Sequence, residues 1–350
     1  KNFAQKGTIA VEKTGEVFFG VSVSGGIDES GNELPIIYQP QYEKRGLPGA
    51  VYEIVAAEDI ITPDGTVRNH KGDVVDTIIT DENGIAMSCE LYLGEYEVRE
   101  VTAPNGMVLN PESRFVELVY AGQNVAVTET ATSFENERQK VEISLVKSIE
   151  QNERFDIGTN GEMKNITFGL FAAEEIVSAS GTSIPANGLI EIVSLNEDGT
   201  ATIKTDLPYG RYYVQEIATD SHYKLSDVKY PIIFEYVGQD TAVVKIAVND
   251  GKAIKNDLIY GSVSGKKVDE DGNALGGAMI GLFRTDDGEF TKENALMTTT
   301  SAEDGSFSFE NIPCGTWYVR EIEQPTGFVL DDTIYPVTIG TDGQVVEIEI

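Results

Sequence analysis

Apolar and polar side chains alternate with a period of two along most of the chain, in short runs divided by clusters of Gly, Asn and Asp, and no long stretch has helical periodicity. The pattern predicts an all-β protein. Hairpin turns are expected at Asp81-Glu82-Asn83-Gly84, Asn196-Glu197-Asp198-Gly199 and Asp269-Glu270-Asp271-Gly272-Asn273. The last begins like a calcium loop, but its twelfth position is Ile280, which has no carboxylate, so it reads as a turn and no metal is expected.

Successive side chains of a strand face opposite sides of the sheet, so parity identifies polar residues on apolar faces. Val141, Ile143, Leu145 and Lys147 share a face, as do Ile9, Val11 and Lys13, and more weakly Val263, Gly265 and Lys267. The form aromatic-x-Val-x-Glu places Glu100 with Tyr96 and Val98, Glu216 with Tyr212 and Val214, and Glu321 with Trp317 and Val319. A turn glycine precedes each glutamate by 16 or 17 residues, at Gly84, Gly199 and Gly305. Asn136 aligns with Phe134, and Asn256 with Ile254. All three residue types are therefore expected to point inward.

These positions recur in phase. Asn2, Asn136 and Asn256 each stand eleven residues before Lys13, Lys147 and Lys267, which divides the chain into tandem units near 1–138, 139–258 and 259–350. Unit one is longest because residues 17–46 insert a polar segment after its first strand. Asn2 falls in the phase of a preceding unit and reads as an orphan acceptor. The third unit should find its asparagine 36 to 40 residues past Glu321, at about 357–361, so Lys267 is expected to be unlinked and its sheet to lack a last strand.

A lysine and a glutamate left as separate ions in a core would cost several kcal/mol each. One resolution is a buried salt bridge with an asparagine hydrogen bond. The other is chemical: burial lowers the amine pKa and raises that of the acid, giving a neutral nucleophile beside a proton shuttle. The amine can then attack the asparagine carboxamide while the acid polarises its oxygen and passes protons to departing ammonia, leaving a side-chain amide.

At these residues the chain resembles the SpaA/Cna-B repeat domains of Gram-positive surface adhesins and pilins. The resemblance implies three prealbumin-like β-sandwiches of Greek-key, Ig-like architecture with autocatalytic Lys-to-Asn isopeptide bonds. The family's pattern Tyr-x-x-x-Glu-x-x-Ala-Pro-x-Gly matches Glu100 with Ala103, Pro104 and Gly106, and Glu321 with Pro325 and Gly327, whereas Ile217-Ala218-Thr219-Asp220 departs from it after Glu216. The stretch 261–273 is closest to the family's usual opening; there Lys266 rivals Lys267, and parity favours Lys267. By this resemblance Glu100, Glu216 and Glu321 are the catalytic acids, Lys13 and Lys147 the donors, and Asn136 and Asn256 the acceptors.

The remaining composition narrows the function. A formal charge of −32 makes nucleic acid and anionic membranes poor partners. No apolar run is long enough to span a bilayer, and the amino terminus lacks the basic-then-apolar pattern of a signal peptide, so targeting signals are expected outside this stretch. Cys89 and Cys314 fall in different units and read as small buried or half-buried side chains, not a disulfide framework. His70 and His222 sit in loop-like contexts with nothing resembling a triad, so a turnover hydrolase is not expected, and neither is a cofactor. The leading expectation is a stalk segment of a cell-wall-attached, extracellular surface protein, monomeric in isolation, whose partners are its neighbouring repeats. Extension would fall on eleven-residue joints spanning at most about 36–40 Å. The alternative is an adhesin module binding a host matrix protein or glycan through the insertion, whose loops carry Phe18, Phe19, Ile36, Ile37, Tyr38 and Tyr42.

Overall fold

The structure, a computed structural model, describes residues 2–27 and 30–350. Every unit pairs two sheets around one core, and in each the opening strand lies parallel and adjacent to the closing strand. In unit one the opening strand Lys6–Ile27 pairs with the closing strand Val127–Asn136, with Lys13 opposite Phe134. The facing sheet has the order Arg114–Leu118, Gly94–Thr102, Val51–Ala56, Val74–Ile79. Between them Ile9, Val11, Tyr52, Ile54, Tyr96, Val98, Leu118 and Phe134 form a single core.

Unit two repeats this plan. Lys140–Ile149 lies between Thr200–Ile203 and Val243–Ala247, and the parallel edge resumes at Ile254–Asn256 after a short 3-10 turn, Val248–Gly251. Unit three places Tyr260–Lys266 between Ser306–Pro313 and Val345–Glu349. The expectation that its sheet lacks a last strand is thereby corrected: Val345–Glu349 pairs parallel to the opening strand from Ser262↔Val345 to Lys266↔Glu349. The spacing estimate misplaced this strand because the route from the acidic strand to the closing strand varies in length between units, while the pairing register does not.

Residues 17–46 also differ from expectation. They form no separate loop: they continue the opening strand into a long hairpin with Glu33–Gly46, which reaches onto unit two. Phe18, Val21 and Tyr38 pack against the unit-two core, Ile37 bridges in parallel to Leu189, and the backbone carbonyls of Phe18 and Phe19 accept from Ala179 and Ser180. Most of the aromatics offered as a ligand surface are consumed in domain packing, because a twisted two-stranded ribbon exposes an apolar face that must be covered. Cys89 is likewise exposed, against the expectation of burial, while Cys314 is half-buried.

The joint between units one and two is short and clamped. Unit two's opening strand begins at Lys140, so residues 137–139, not eleven, separate it from Asn136. Arg138 donates from Nη1 to Asp206 Oδ1 at 2.9 Å and from Nη2 to Glu16 Oε2 at 3.2 Å, with its guanidinium 3.4 Å from the Tyr42 ring centroid. The Gln139 side chain donates to the Gly238 and Thr241 carbonyls at 3.1 and 2.7 Å. At the next joint Phe155 meets Trp317 edge-on at 4.8 Å, and Glu150 accepts from the Leu258 amide and the Tyr260 hydroxyl, both at 3.0 Å. Arg138→Ala is expected to weaken the first joint by roughly 1–3 kcal/mol, the range for charge-assisted hydrogen bonds. Limited proteolysis read by mass spectrometry would then show faster cutting at 137–139 and in the hairpin, with both flanking sandwiches still resistant.

Candidate functional site

Each opening strand carries its lysine into the core at a point fixed by the turn glycine. The amides of Lys13, Lys147 and Lys267 donate to the carbonyls of Gly84, Gly199 and Gly305 at 2.7, 2.8 and 2.8 Å. These glycines have φ near +80°, and a Cβ there would collide with the carbonyl oxygen of the same lysine. The recurring glycine thus sets the depth of the amine.

In unit one, Lys13, Glu100 and Asn136 are buried together. Lys13 Nζ lies 2.9 Å from Glu100 Oε1 and donates to Asn136 Oδ1, while Asn136 Nδ2 donates to the same Glu100 Oε1 at 3.0 Å. The second carboxylate oxygen is held by the Asn110 amide at 2.9 Å, so one oxygen is anchored and the other faces both the amine and the carboxamide. Tyr52 and Phe134 wall the site, each ring centroid 5.8 Å from Nζ. Burial pushes the Lys13 amine below its ordinary pKa, against the opposing pull of Glu100.

Unit two brings the same groups together. Lys147 Nζ donates to Asn256 Oδ1 at 2.5 Å and stands 3.4 Å from Glu216 Oε1, and Asn256 Nδ2 donates to that oxygen at 2.7 Å. The Ser226 amide holds Glu216 Oε2 at 3.1 Å, and burial lowers the Lys147 pKa as well. In both units the carboxyl stands beside the carboxamide nitrogen and not its oxygen.

In unit three Lys267 Nζ lies 3.4 Å from Glu321 Oε2, which also accepts from the Asp331 amide at 2.9 Å, while the buried Glu321 Oε1 has no hydrogen-bond partner among the described residues. A cavity of about 300 Å³ adjoins the pair, bounded by Asp331 and Ile350. Asn136 stands two residues beyond Phe134, the partner of Lys13, and Asn256 two beyond Ile254, the partner of Lys147. Lys266 pairs with Glu349, which places Lys267 level with Ile350. Lys266 is exposed on the opposite face, and Asn2 lies exposed at the surface of unit one.

Sequence reasoning missed three contributors. The amide holding the second carboxylate oxygen comes ten residues after the glutamate in every unit, from Asn110, Ser226 and Asp331. The cross-strand partner of the glutamate is Tyr52, Phe168 and Ile280 in turn, an aromatic ring in units one and two and an aliphatic side chain in unit three. Thr219 Oγ1 accepts from Asn256 Nδ2 at 2.9 Å. The constant ten-residue offset was readable in the chain; the other two needed the pairing.

Residues 36–132, 150–252 and 261–350 each match a family model, SpaA, described as a prealbumin-like fold domain. Among solved structures the chain is similar to the Bacillus anthracis TIE protein, with 18% identity and a TM-score of 0.63 over 99% of this chain and 50% of that one. It therefore spans half the length of that relative. BcpA, the major pilin subunit of Bacillus cereus, matches over 99% of both chains with 16% identity and a TM-score of 0.39. The full-length major pilin SpaD from Corynebacterium diphtheriae matches over 100% of this chain and 98% of its own, with 15% identity and a TM-score of 0.26. At these identities the likeness concerns the fold. No curated protein matches the chain. Among the described residues no helix is long and apolar enough to cross a membrane.

Proposed function

Because this chain belongs to the SpaA prealbumin-like domain family, we propose that it is a load-bearing stalk segment of an extracellular, cell-wall-attached adhesin or pilus-like protein. Its first two units would be sealed by Lys13–Asn136 and Lys147–Asn256 amides. The observation that carries this reading is the convergence of amine, carboxamide and anchored carboxyl in both units at one register.

The geometry supports a direct amide exchange. The lysine nitrogen, neutral through burial, attacks the asparagine Cγ and its lone pair becomes the new C–N bond. Glutamate Oε1 takes the proton that the attacking nitrogen must shed and delivers one to Nδ2, which stands within 3.0 Å in unit one and 2.7 Å in unit two. The old C–N bond breaks and ammonia leaves with its electron pair. The carboxyl ends as it began, and the protein acts once on itself. Packing supplies the effective molarity, since neither partner has freedom left to lose.

Such a bond joins the first strand to the last, so tension entering at Lys13 would leave at Asn136 without loading the core. In single-molecule pulling on the whole chain, units one and two are expected to add no unfolding length at forces that open unit three. The double variant Glu100→Gln/Glu216→Gln should add the extension of all three units. Wild-type chain that extends fully at low force would overturn the proposal.

A further inference from the structure

Unit two departs from unit one in how it holds the leaving nitrogen. Three residues past the glutamate, unit one has Ala103 ahead of Pro104, whereas unit two has Thr219 ahead of Asp220 and lacks the rigid Ala-Pro turn. Asn256 Nδ2 donates to Glu216 Oε1 at 2.7 Å and to Thr219 Oγ1 at 2.9 Å. Alanine at the matching position of unit one has no acceptor to offer, and Asn136 Nδ2 meets Glu100 Oε1 at the longer 3.0 Å. The balance around the acid also shifts: Oε1 is 2.9 Å from the amine in unit one but 3.4 Å in unit two.

We propose that Thr219 is the positioning residue for the leaving group of unit two, fixing the Asn256 carboxamide so that its nitrogen faces Glu216. This rests on the amide-forming reading above. An asparagine side chain presents its oxygen or its nitrogen to a neighbour with little steric difference, and only the hydrogen-bond pattern selects between them. Glu216 Oε1 and Thr219 Oγ1 each accept one N–H of Asn256 Nδ2 while Lys147 Nζ donates to Oδ1, and with both N–H groups taken the nitrogen is held on the Glu216 side. Once Cγ becomes tetrahedral, the C–N bond becomes single and the nitrogen gains a free lone pair that must turn toward Glu216 Oε1 to be protonated. Thr219 keeps one N–H throughout and limits that rotation to a single axis. No atom of Thr219 is consumed, so its effect is on the rate and not on the product.

Cell-free synthesis of the full chain, sampled over time and digested for peptide mapping, reads both cross-links in the same molecules, with unit one as the internal clock. Losing one hydrogen bond to the reacting group should slow Thr219→Val in unit two by roughly five- to tenfold relative to unit one. Thr219→Ser, which retains the hydroxyl, should restore the ratio to within about twofold. Valine matching wild type would overturn the inference, as would serine proving as slow as valine, since shape and not the hydroxyl would then be responsible. Wild-type chain with no cross-link in either unit would overturn the underlying reading instead, which keeps the two failures apart.

Discussion

The intact chain is expected to weigh two molecules of ammonia less than its 350-residue sequence requires, with Glu100→Gln and Glu216→Gln each abolishing one of the losses. Glutamine is the sharper substitution because it keeps the volume and a hydrogen bond while removing the transferable proton. Alanine would also remove the side-chain volume and the acid's hydrogen bonds, a separate destabilisation. The joined residues are 123 apart in unit one and 109 apart in unit two. Closing loops of this size removes unfolded-state entropy worth about 5 kcal/mol by the chain-entropy model, comparable with the whole stability of a small domain. Calorimetry should therefore show the affected unit melting roughly 20 °C lower in each variant. A full-weight wild-type chain would end the cross-linking scheme, and a deficit of three would contradict the unlinked state expected for Lys267.

The second large effect concerns unit three. Extending the chain by Glu-Asn after Ile350 puts a carboxamide at the register position held by Asn136 and Asn256 in their own units. A third ammonia should then be lost, and unit three should gain about 4–5 kcal/mol from closure of the loop. Extension by Glu-Ala should do neither, and Glu321→Gln should block the gain. If Glu-Asn leaves the deficit at two while units one and two remain linked, the register argument fails. The aliphatic Ile280, in place of Tyr52 or Phe168, would then be the first place to look for the cause.

Much of the fold and the placement of the candidate site residues could be read from local pattern. Strand parity requires only that neighbouring side chains alternate, and Lys13, Glu100, Lys147, Glu216, Asn136 and Asn256 are all buried where it places them. The turn glycines were visible as a repeat, and their reason, contact with the lysine carbonyl, emerged only in three dimensions. What local pattern could not give was anything set by distant pairing. The reach of residues 17–46 onto unit two depends on which core lies beneath them. The estimate of 357–361 for the acceptor of unit three counts loop length from the acid, whereas strand register counted from Lys267 points to 352. Unit two's route to Asn256 includes the extra turn Val248–Gly251, which made that count unreliable.

The parallel contact of opening and closing strands has a consequence for the hairpin. Were Lys13 joined to Asn136, a pull along the molecule would follow residues up to 13, cross the side-chain bridge, and continue from 136 toward Lys147. Everything between, the 17–46 ribbon included, would hang beside this line as an unstressed loop. The ribbon would then act as a buttress, resisting sideways bending at the first joint while the axial strain passes it by.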